Sequence, residues 1–289
     1  GRRLYCSAGG WPNLVENDFL SSMQPRIQVW RAGLNSIINS ESPKSDYDWT
    51  GYTSKFHQPV VSHEVGQWCA YPNFKEIQKY TGVMKARNFE IFEETLAENG
   101  MIHLADSFLL ASGKLQALCY KADIEAALRT KDLGGFQLLG LTDFPGQGTA
   151  LVGVLDVFGD NKGYISPVEF RKFCNTVVPL LRVPKFIYTN QENIVGKVEV
   201  ANYSGHVLNV HSSNWVLCDA AGNESLTGEM KHEDIEQGNC IEIGRLDIPL
   251  SALSEPTALT LKIQVGEYEN DWHLWCYPVS NYLDHSDIM

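Results

Sequence analysis

Residues 57–68 read His-Gln-Pro-Val-Val-Ser-His-Glu-Val-Gly-Gln-Trp and present one carboxylate, Glu64, between a histidine and a Val-Gly pair. Pro59 suits the first residue of a strand, where its missing N–H breaks no ladder bond. Val60 and Val61 are β-branched and suit a buried strand. A carboxylate at the far end of such a strand, with Gly66 after it, stands where a parallel α/β barrel places its chemistry. A strand whose Glu64 makes only a structural hydrogen bond fits the same residues, because perturbed carboxylates also occur in structural networks. His57 and His63 flank the carboxylate and raise the question of a metal. Side chains at 63 and 64 should point to opposite faces of a strand, so the pair is not expected to share an ion. No metal and no cofactor is expected.

The elements that must hold this carboxylate follow from period and turn signals. Residues 2–7 read as a short strand, and Ala8 to Asn13 as a loop. Pro25 to Trp30 is a second candidate strand, and Asn39 to Thr53 a long polar loop of the kind that often carries function. Beyond the Pro59–Glu64 strand the period changes. Pro72 to Tyr80 reads as a short helix. Val83 to Asn99 reads as a longer one, with Phe89, Phe92 and Leu96 on one face and Gly100 just past its end. A third helix, capped by Asp106 or Ser107, reaches about Lys131. It carries Leu110, Leu115, Leu118, Ile124 and Leu128, has a weak point at Gly113 and ends at Gly134-Gly135. Phe136 to Thr142 is a nearly all-apolar strand that runs into Asp143-Phe144-Pro145-Gly146. Such a strand after a long helix fits a parallel sheet covered on both faces.

Ser166-Pro167-Val168-Glu169 is a capping box with proline at the first helical position, opening a helix to about Val178. Pro179 to Pro184 is the expected boundary between an α/β domain, 1–180, and an all-β domain, 181–289. In the latter, strands over 197–202, 214–218, 240–246, 258–265 and 272–277 argue a β-sandwich.

Composition narrows the partners. A chain of 289 residues has room for one large or two medium domains. A net charge of −12 argues against nucleic acid and against an anionic membrane surface. No run of about 18 apolar residues exists to span a membrane as a helix. No signal peptide is evident, and the opening Gly1-Arg2-Arg3 is compatible with a removed leader. The compartment is therefore undetermined, with periplasm or secretion as the expectation. Seven cysteines without a Cys-x-x-Cys pair fit buried free thiols better than a disulfide framework or zinc site, although Cys218 and Cys240 could pair.

Residues 158–169 end like a calcium-binding loop, with Gly163, Ile165 and Glu169 in register. The first and fifth ligand positions, however, are Phe158 and Lys162, and neither donates a carboxylate. Asp143 either contacts a substrate or caps the turn at Pro145, and the turn is the simpler reading. The sequons at Asn202 and Asn223 are short enough to arise by chance.

Taken in order, these pieces resemble the C-terminal half of a glycoside hydrolase family 2 enzyme, the family of β-galactosidases, β-glucuronidases and β-mannosidases. The run from Gln58 to Gly66 resembles the family's seventh barrel strand, where a proline precedes the nucleophilic Glu by five residues and a glycine follows by two. The 106–131 helix and the strand ending in Asp143-Phe144 resemble its eighth α/β unit. Leu4-Tyr5-Cys6-Ser7 with Gly9-Gly10-Trp11-Pro12 resembles the fifth strand and its loop. The segments from Val198 to Tyr203 and from Asn270 to Pro278 resemble the Ig-like sandwich that follows such barrels.

The resemblance implies half of a (β/α)8 barrel followed by an Ig-like β-sandwich, and a carbohydrate substrate, a β-glycoside. It implies a retaining mechanism with Glu64 as nucleophile and a second carboxyl group about 5–5.5 Å away. His63 and Asp143 become candidate substrate contacts. Trp11, Trp30 and Trp68 could stack on sugar faces, with core packing equally open for each.

Two departures stand out. The family's acid/base Glu follows an Asn, and the one Asn-Glu pair here is Asn223-Glu224, in a turn of the expected sandwich. A full barrel needs about 250 residues, so residues 1–180 can hold only the last four strands. The chain therefore reads as a fragment whose barrel is completed by a missing N-terminal half or by a second copy in a homodimer. The last strand also carries Leu138-Leu139-Gly140-Leu141 where the family often has a Trp before the Asp. A non-catalytic carbohydrate-binding or assembly fragment is the competing expectation.

Overall fold

The computed structural model describes residues 3–9, 12–28, 33–144 and 150–279. They form two compact units: residues 1–33, 51–127 and 132–171 make the first, and residues 34–50, 128–131 and 172–289 the second.

The first unit is built on a parallel sheet of β1 (Leu20–Ser22), β2 (Val60–Val65) and β3 (Leu133–Leu138), with β2 in the centre. Along the chain between β1 and β2 come two single-turn helices, α1 (Ile37–Ser40), which belongs to the second unit, and α2 (Thr50–Thr53). A 3-10 helix (Phe74–Lys79), α3 (Arg87–Glu98) and α4 (Ala105–Leu128) connect β2 to β3. Val60, Ser62 and Val65 are buried, so β2 is covered as its valines predict.

Among the described residues the parallel sheet has three strands and no closed barrel, where four strands of a half-barrel were expected. The strand expected over 2–7 does not form over 3–7. Leu4 and Tyr5 are exposed there, and Asp18 ties the segment down by accepting from the Tyr5 N–H at 2.7 Å and donating its own N–H to Tyr5 O. The strand expected over Pro25 to Trp30 lies earlier, at β1. Residues 23–28 are bends, because Pro25 offers no ladder donor and its carbonyl is taken by the Ser62 hydroxyl at 2.7 Å. Trp30 and Trp11 lie outside the described residues.

Helix α4 buries only part of the apolar set that suggested it: Ile124 and Leu128 are buried. Leu110, Leu115 and Leu118 are exposed, while Leu109, Gln116, Tyr120, Asp123 and Ile124 turn inward at i+3 and i+4 spacing. Gly113 is a fitted position: a Cβ there would lie 2.1 Å from Tyr164 Cδ1. Gly134 and Gly135 lie inside β3 and do not end the helix. A Cβ on Gly134 would meet Pro59 Cβ at 3.0 Å, so the missing side chain lets β3 approach the start of β2.

The capping box forms as read. The Ser166 N–H donates to Glu169 Oε2 at 2.7 Å, and the Glu169 N–H to Ser166 Oγ at 3.2 Å. Its helix, α5 (Pro167–Arg171), is shorter than expected because residues 177–182 enter the second unit as a strand.

The second unit is a sandwich of two sheets. One has the order β5 (Ile187–Thr189), β11 (Tyr268–Tyr277), β10 (Thr257–Val265), β7 (Ser212–Asp219), β8 (Glu224–Lys231). The other has the order β4 (Val177–Arg182), β6 (Asn193–Asn202), β9 (Gly238–Pro249). Pro179 is tolerated because β4 is an edge strand. Inward residues such as Val177, Ile194, Val198, Leu217, Leu261, Ile263, Trp272 and Leu274 pack into one apolar core from both sheets. All seven cysteines are free, so Cys218 and Cys240 are not paired.

Candidate functional site

Strand β2 breaks its pleat at its C-terminal end. Its register against β3 shifts between Ser62 and Val65, and Glu64 takes φ +57°, the left-handed region. For a residue with a Cβ this costs of order 1–2 kcal/mol, and it persists only where the surroundings impose it. The consequence overturns the expectation that residues 63 and 64 face opposite ways. The bulge ends the alternation, and His63 Nε2 comes within 3.5 Å of Glu64 Oε1. Gln67 Nε2 donates to Glu64 Oε2 at 3.0 Å. Both carboxylate oxygens thus face polar side chains, and the Glu64 side chain keeps 31% of its surface in solvent.

His63 Nδ1 bonds Gln137 Oε1 of β3 at 2.9 Å, and Ser21 Oγ of β1 donates to the same oxygen at 3.4 Å. A polar row therefore crosses the three strands beside the carboxylate. Gly9 lets the imidazole sit close to its backbone: a Cβ there would lie 2.9 Å from His63 Cε1.

Beneath this end of the sheet lie two buried charges that sequence reasoning missed. Arg26 is 2% exposed, and its Nη1 donates to Glu64 O at 2.8 Å and His63 O at 3.3 Å. Burial lowers its guanidinium below the ordinary value, against the charges of Asp123 and Glu64. Asp123 of α4 is equally buried and accepts from the Ile27 N–H at 2.6 Å. Burial pushes its carboxyl up to about 7, although the N–H groups of Ile27 and Gly66 and the charge of Arg26 favour the charged form. Tyr120, also on α4, fills the space over Gly66, where a Cβ would fall 2.0 Å from its ring. Neither Arg26 nor Asp123 sits in a local motif, so the sequence carried no signal for them.

The other predicted residues separate from this group. Trp68 is half-buried; its carbonyl accepts from Gln116 Nε2 at 2.5 Å, and its indole N–H is buried without a partner. Asp143 is 4% exposed, and Lys162 Nζ reaches both its oxygens at 2.8 and 2.9 Å. The Gly153 N–H adds a bond at 2.9 Å. Its carboxylate is thus occupied inside the unit, and residues 145–149, with the turn at Pro145, lie outside the described residues.

Lys162, the residue that spoiled the calcium pattern, supplies an ammonium to this interior. Lys79 reaches Asp156 at 2.5 Å and Asp160 at 2.7 Å from the 3-10 helix. Between these pairs lies Glu76, 1% exposed, with neither carboxylate oxygen hydrogen-bonded. Burial, then Asp156 and Asp143, push it up to about 7, and Lys162 and Lys79 oppose the rise. Among the described residues no group of three or more His, Cys, Asp or Glu could hold a metal ion, and no helix is long and apolar enough to cross a membrane.

A family model described as a domain of unknown function, DUF8488, matches residues 192–278, within the second unit. No curated protein matches the sequence. Solved structures that resemble parts of the chain include glycoside hydrolases. One is the exo-chitosanase CsxA of Amycolatopsis orientalis, at TM-score 0.37 and 13% identity, covering 65% of this chain and 21% of that one. A second is the β-glucuronidase of Bacteroides uniformis, at TM-score 0.22 and 13% identity, covering 76% and 26%. A third is the endo-β-1,4-mannanase of Thermotoga petrophila, at TM-score 0.25 and 12% identity, covering 79% and 40%. The chain spans about a fifth of the length of the exo-chitosanase. Likeness at this level carries no argument about activity, which rests on the site itself.

Proposed function

We propose that the first unit carries the nucleophile of a retaining β-glycosidase, with Glu64 in that role. In such a reaction the Glu64 carboxylate attacks the anomeric carbon and the bond to the leaving oxygen breaks. The resulting glycosyl ester is then hydrolysed by water. The observation that supports this reading best is the position of Glu64. It is a solvent-reaching carboxylate at the C-terminal end of the central parallel strand, turned out by a left-handed backbone and met on both oxygens by His63 and Gln67. His63, held by Gln137, is read as a contact for a sugar hydroxyl. In this proposal the three parallel strands are part of a (β/α)8 barrel of the family 2 kind. Further strands, from a missing half or a second copy, pair with the edges of β1 and β3, and the acid/base comes with them.

A second reading, carbohydrate binding without cleavage, is favoured by two observations. The one Asn-Glu pair places Glu224 at the exposed start of β8, in the sandwich. Trp275 and Tyr277 on β11 are 39% and 51% exposed, and alternate positions on a strand share a face.

The deciding experiment uses 2-fluoro glycosides with dinitrophenolate leaving groups, followed by peptide mass mapping. Such a leaving group departs without protonation, so the acid/base is not required. The expected result is a sugar adduct on Glu64 that is absent in Glu64→Gln. A folded chain that no member of the panel labels overturns Glu64 as nucleophile and leaves the binding reading.

A further inference from the structure

We infer that Arg26 and Asp123 are positioning residues for Glu64, a buried clamp that imposes the left-handed turn and so aims the carboxylate. The inference rests on the reading of Glu64 as the reacting group. In an extended strand successive carbonyls point to opposite sides, so one guanidinium nitrogen cannot bond two in a row. Arg26 Nη1 bonds both His63 O and Glu64 O. That is possible because Glu64, at φ +57°, brings the two carbonyls to one side. Relaxation of Glu64 to the β region would take one carbonyl away from a guanidinium that is 2% exposed and leave that buried donor with fewer partners. The charged donor makes this the stronger kind of hydrogen bond.

Asp123 closes the clamp from the other side. Its carboxylate accepts the N–H of Ile27, next to Arg26, at 2.6 Å, and the Gly66 N–H, two residues past Glu64, favours its charged form. One side chain of α4 thus holds the peptide next to Arg26 and acts on the peptide that follows the turn. Gly66 itself takes φ +87° with the Tyr120 ring against it, so the chain cannot slide past this point. Arg26 Nε and Nη2 make no hydrogen bond. A buried guanidinium held by one nitrogen is a poor structural fastener, and the two carbonyls it does reach are those of the Glu64 turn.

The test compares wild type, Arg26→Lys and Asp123→Asn in the same fluoro-glycoside labelling, with the inactivation rate constant and the binding constant measured separately. Lysine keeps the charge but not the fixed planar geometry, and asparagine keeps the shape of Asp123 but not its two-fold acceptor charge. Both variants should label Glu64 at least about tenfold more slowly, with the binding constant within about twofold of wild type, as a small misplacement of a reacting group predicts. Protection of the Gly66 amide against hydrogen exchange should fall in Asp123→Asn. Labelling of either folded variant at the wild-type rate overturns the clamp while Glu64 keeps its role. Unchanged Gly66 protection in Asp123→Asn overturns the Asp123 half without reference to any reaction. A wild type that is not labelled at all removes the reading on which the clamp rests.

Discussion

The interiors of the two units are made of different materials. In the sandwich, Ile194, Val198, Leu261, Ile263 and Leu274 are completely buried and pack against one another across both sheets. Its buried polar groups are mostly neutral, as where the Asn202 amide donates to the carbonyls of His206, Ile235 and Glu236, and its buried charges are Arg129 and Glu199, the latter paired with Arg182 at 2.8 Å. The first unit instead buries Arg26, Glu76, Asp123, Asp143, Asp156 and Lys162 among fewer large apolar side chains. Burying ions costs several kcal/mol each unless they are paired. A unit that accepts this cost gains groups with shifted protonation and backbone held in uncommon conformations. The candidate residue Glu64 lies in that unit.

The largest expected effect is that of Lys162→Met, which leaves the Asp143 carboxylate buried without its cation. It should destabilise the first unit by about 3–5 kcal/mol near neutral pH. Adding Asp143→Asn should return most of that loss. Urea titration read by peptide-resolved hydrogen exchange separates the two units. Equal loss in the sandwich peptides would erase the contrast drawn here. The matching change in the other interior, Leu261→Ala, should cost about 2–5 kcal/mol through transfer and cavity terms, and by the same amount at pH 5 and pH 8.

A third prediction uses the sign of the Glu76 shift. Its carboxyl is raised from 4.5 to about 7 in the folded chain, so between those values the native state holds a proton that the unfolded state has lost. The contribution is complete below about pH 4.5 and is lost as pH rises through about 7, amounting to about 3 kcal/mol. Glu76→Gln should therefore flatten the pH dependence of the first unit and leave it more stable than wild type at pH 8. An unchanged slope between pH 5 and pH 8 would show that Glu76 is not the titrating group. The smallest effect is that of Ser166→Ala, which removes one half of the capping box and should cost about 1 kcal/mol in thermal unfolding.

Much of the fold was legible from local pattern. The valines before Glu64 marked β2, and the 3.6-residue period marked α3 and α4. The Ser166–Glu169 spacing marked α5, and alternation marked β6, β7, β9, β10 and β11. Each signal lies within a few residues, and the backbone propensities and amphipathic faces that produce it are local as well. The same pattern misled where pairing decides. Leu4 to Ser7 looked like a strand but had no ladder to join, and Val177 and Val178 looked like a helix end, with a boundary from Pro179, until β6 paired with the whole of β4.

Glu64 could be singled out from sequence because its neighbours carry the strand signal, but its conformation could not. The bulge that turns it toward His63 depends on Arg26, 38 residues away in the chain. Arg26 is set in turn against Asp123, which holds the next residue, Ile27, across 96 residues. Lys162 looked like the flaw in an ion loop until tertiary structure placed its ammonium on Asp143. The sequence by itself determined which segments could become strands and helices and which carboxylate would end the central strand. Only the tertiary structure decided how that carboxylate is aimed, because buried charge pairs form between distant segments and leave no periodicity in either one.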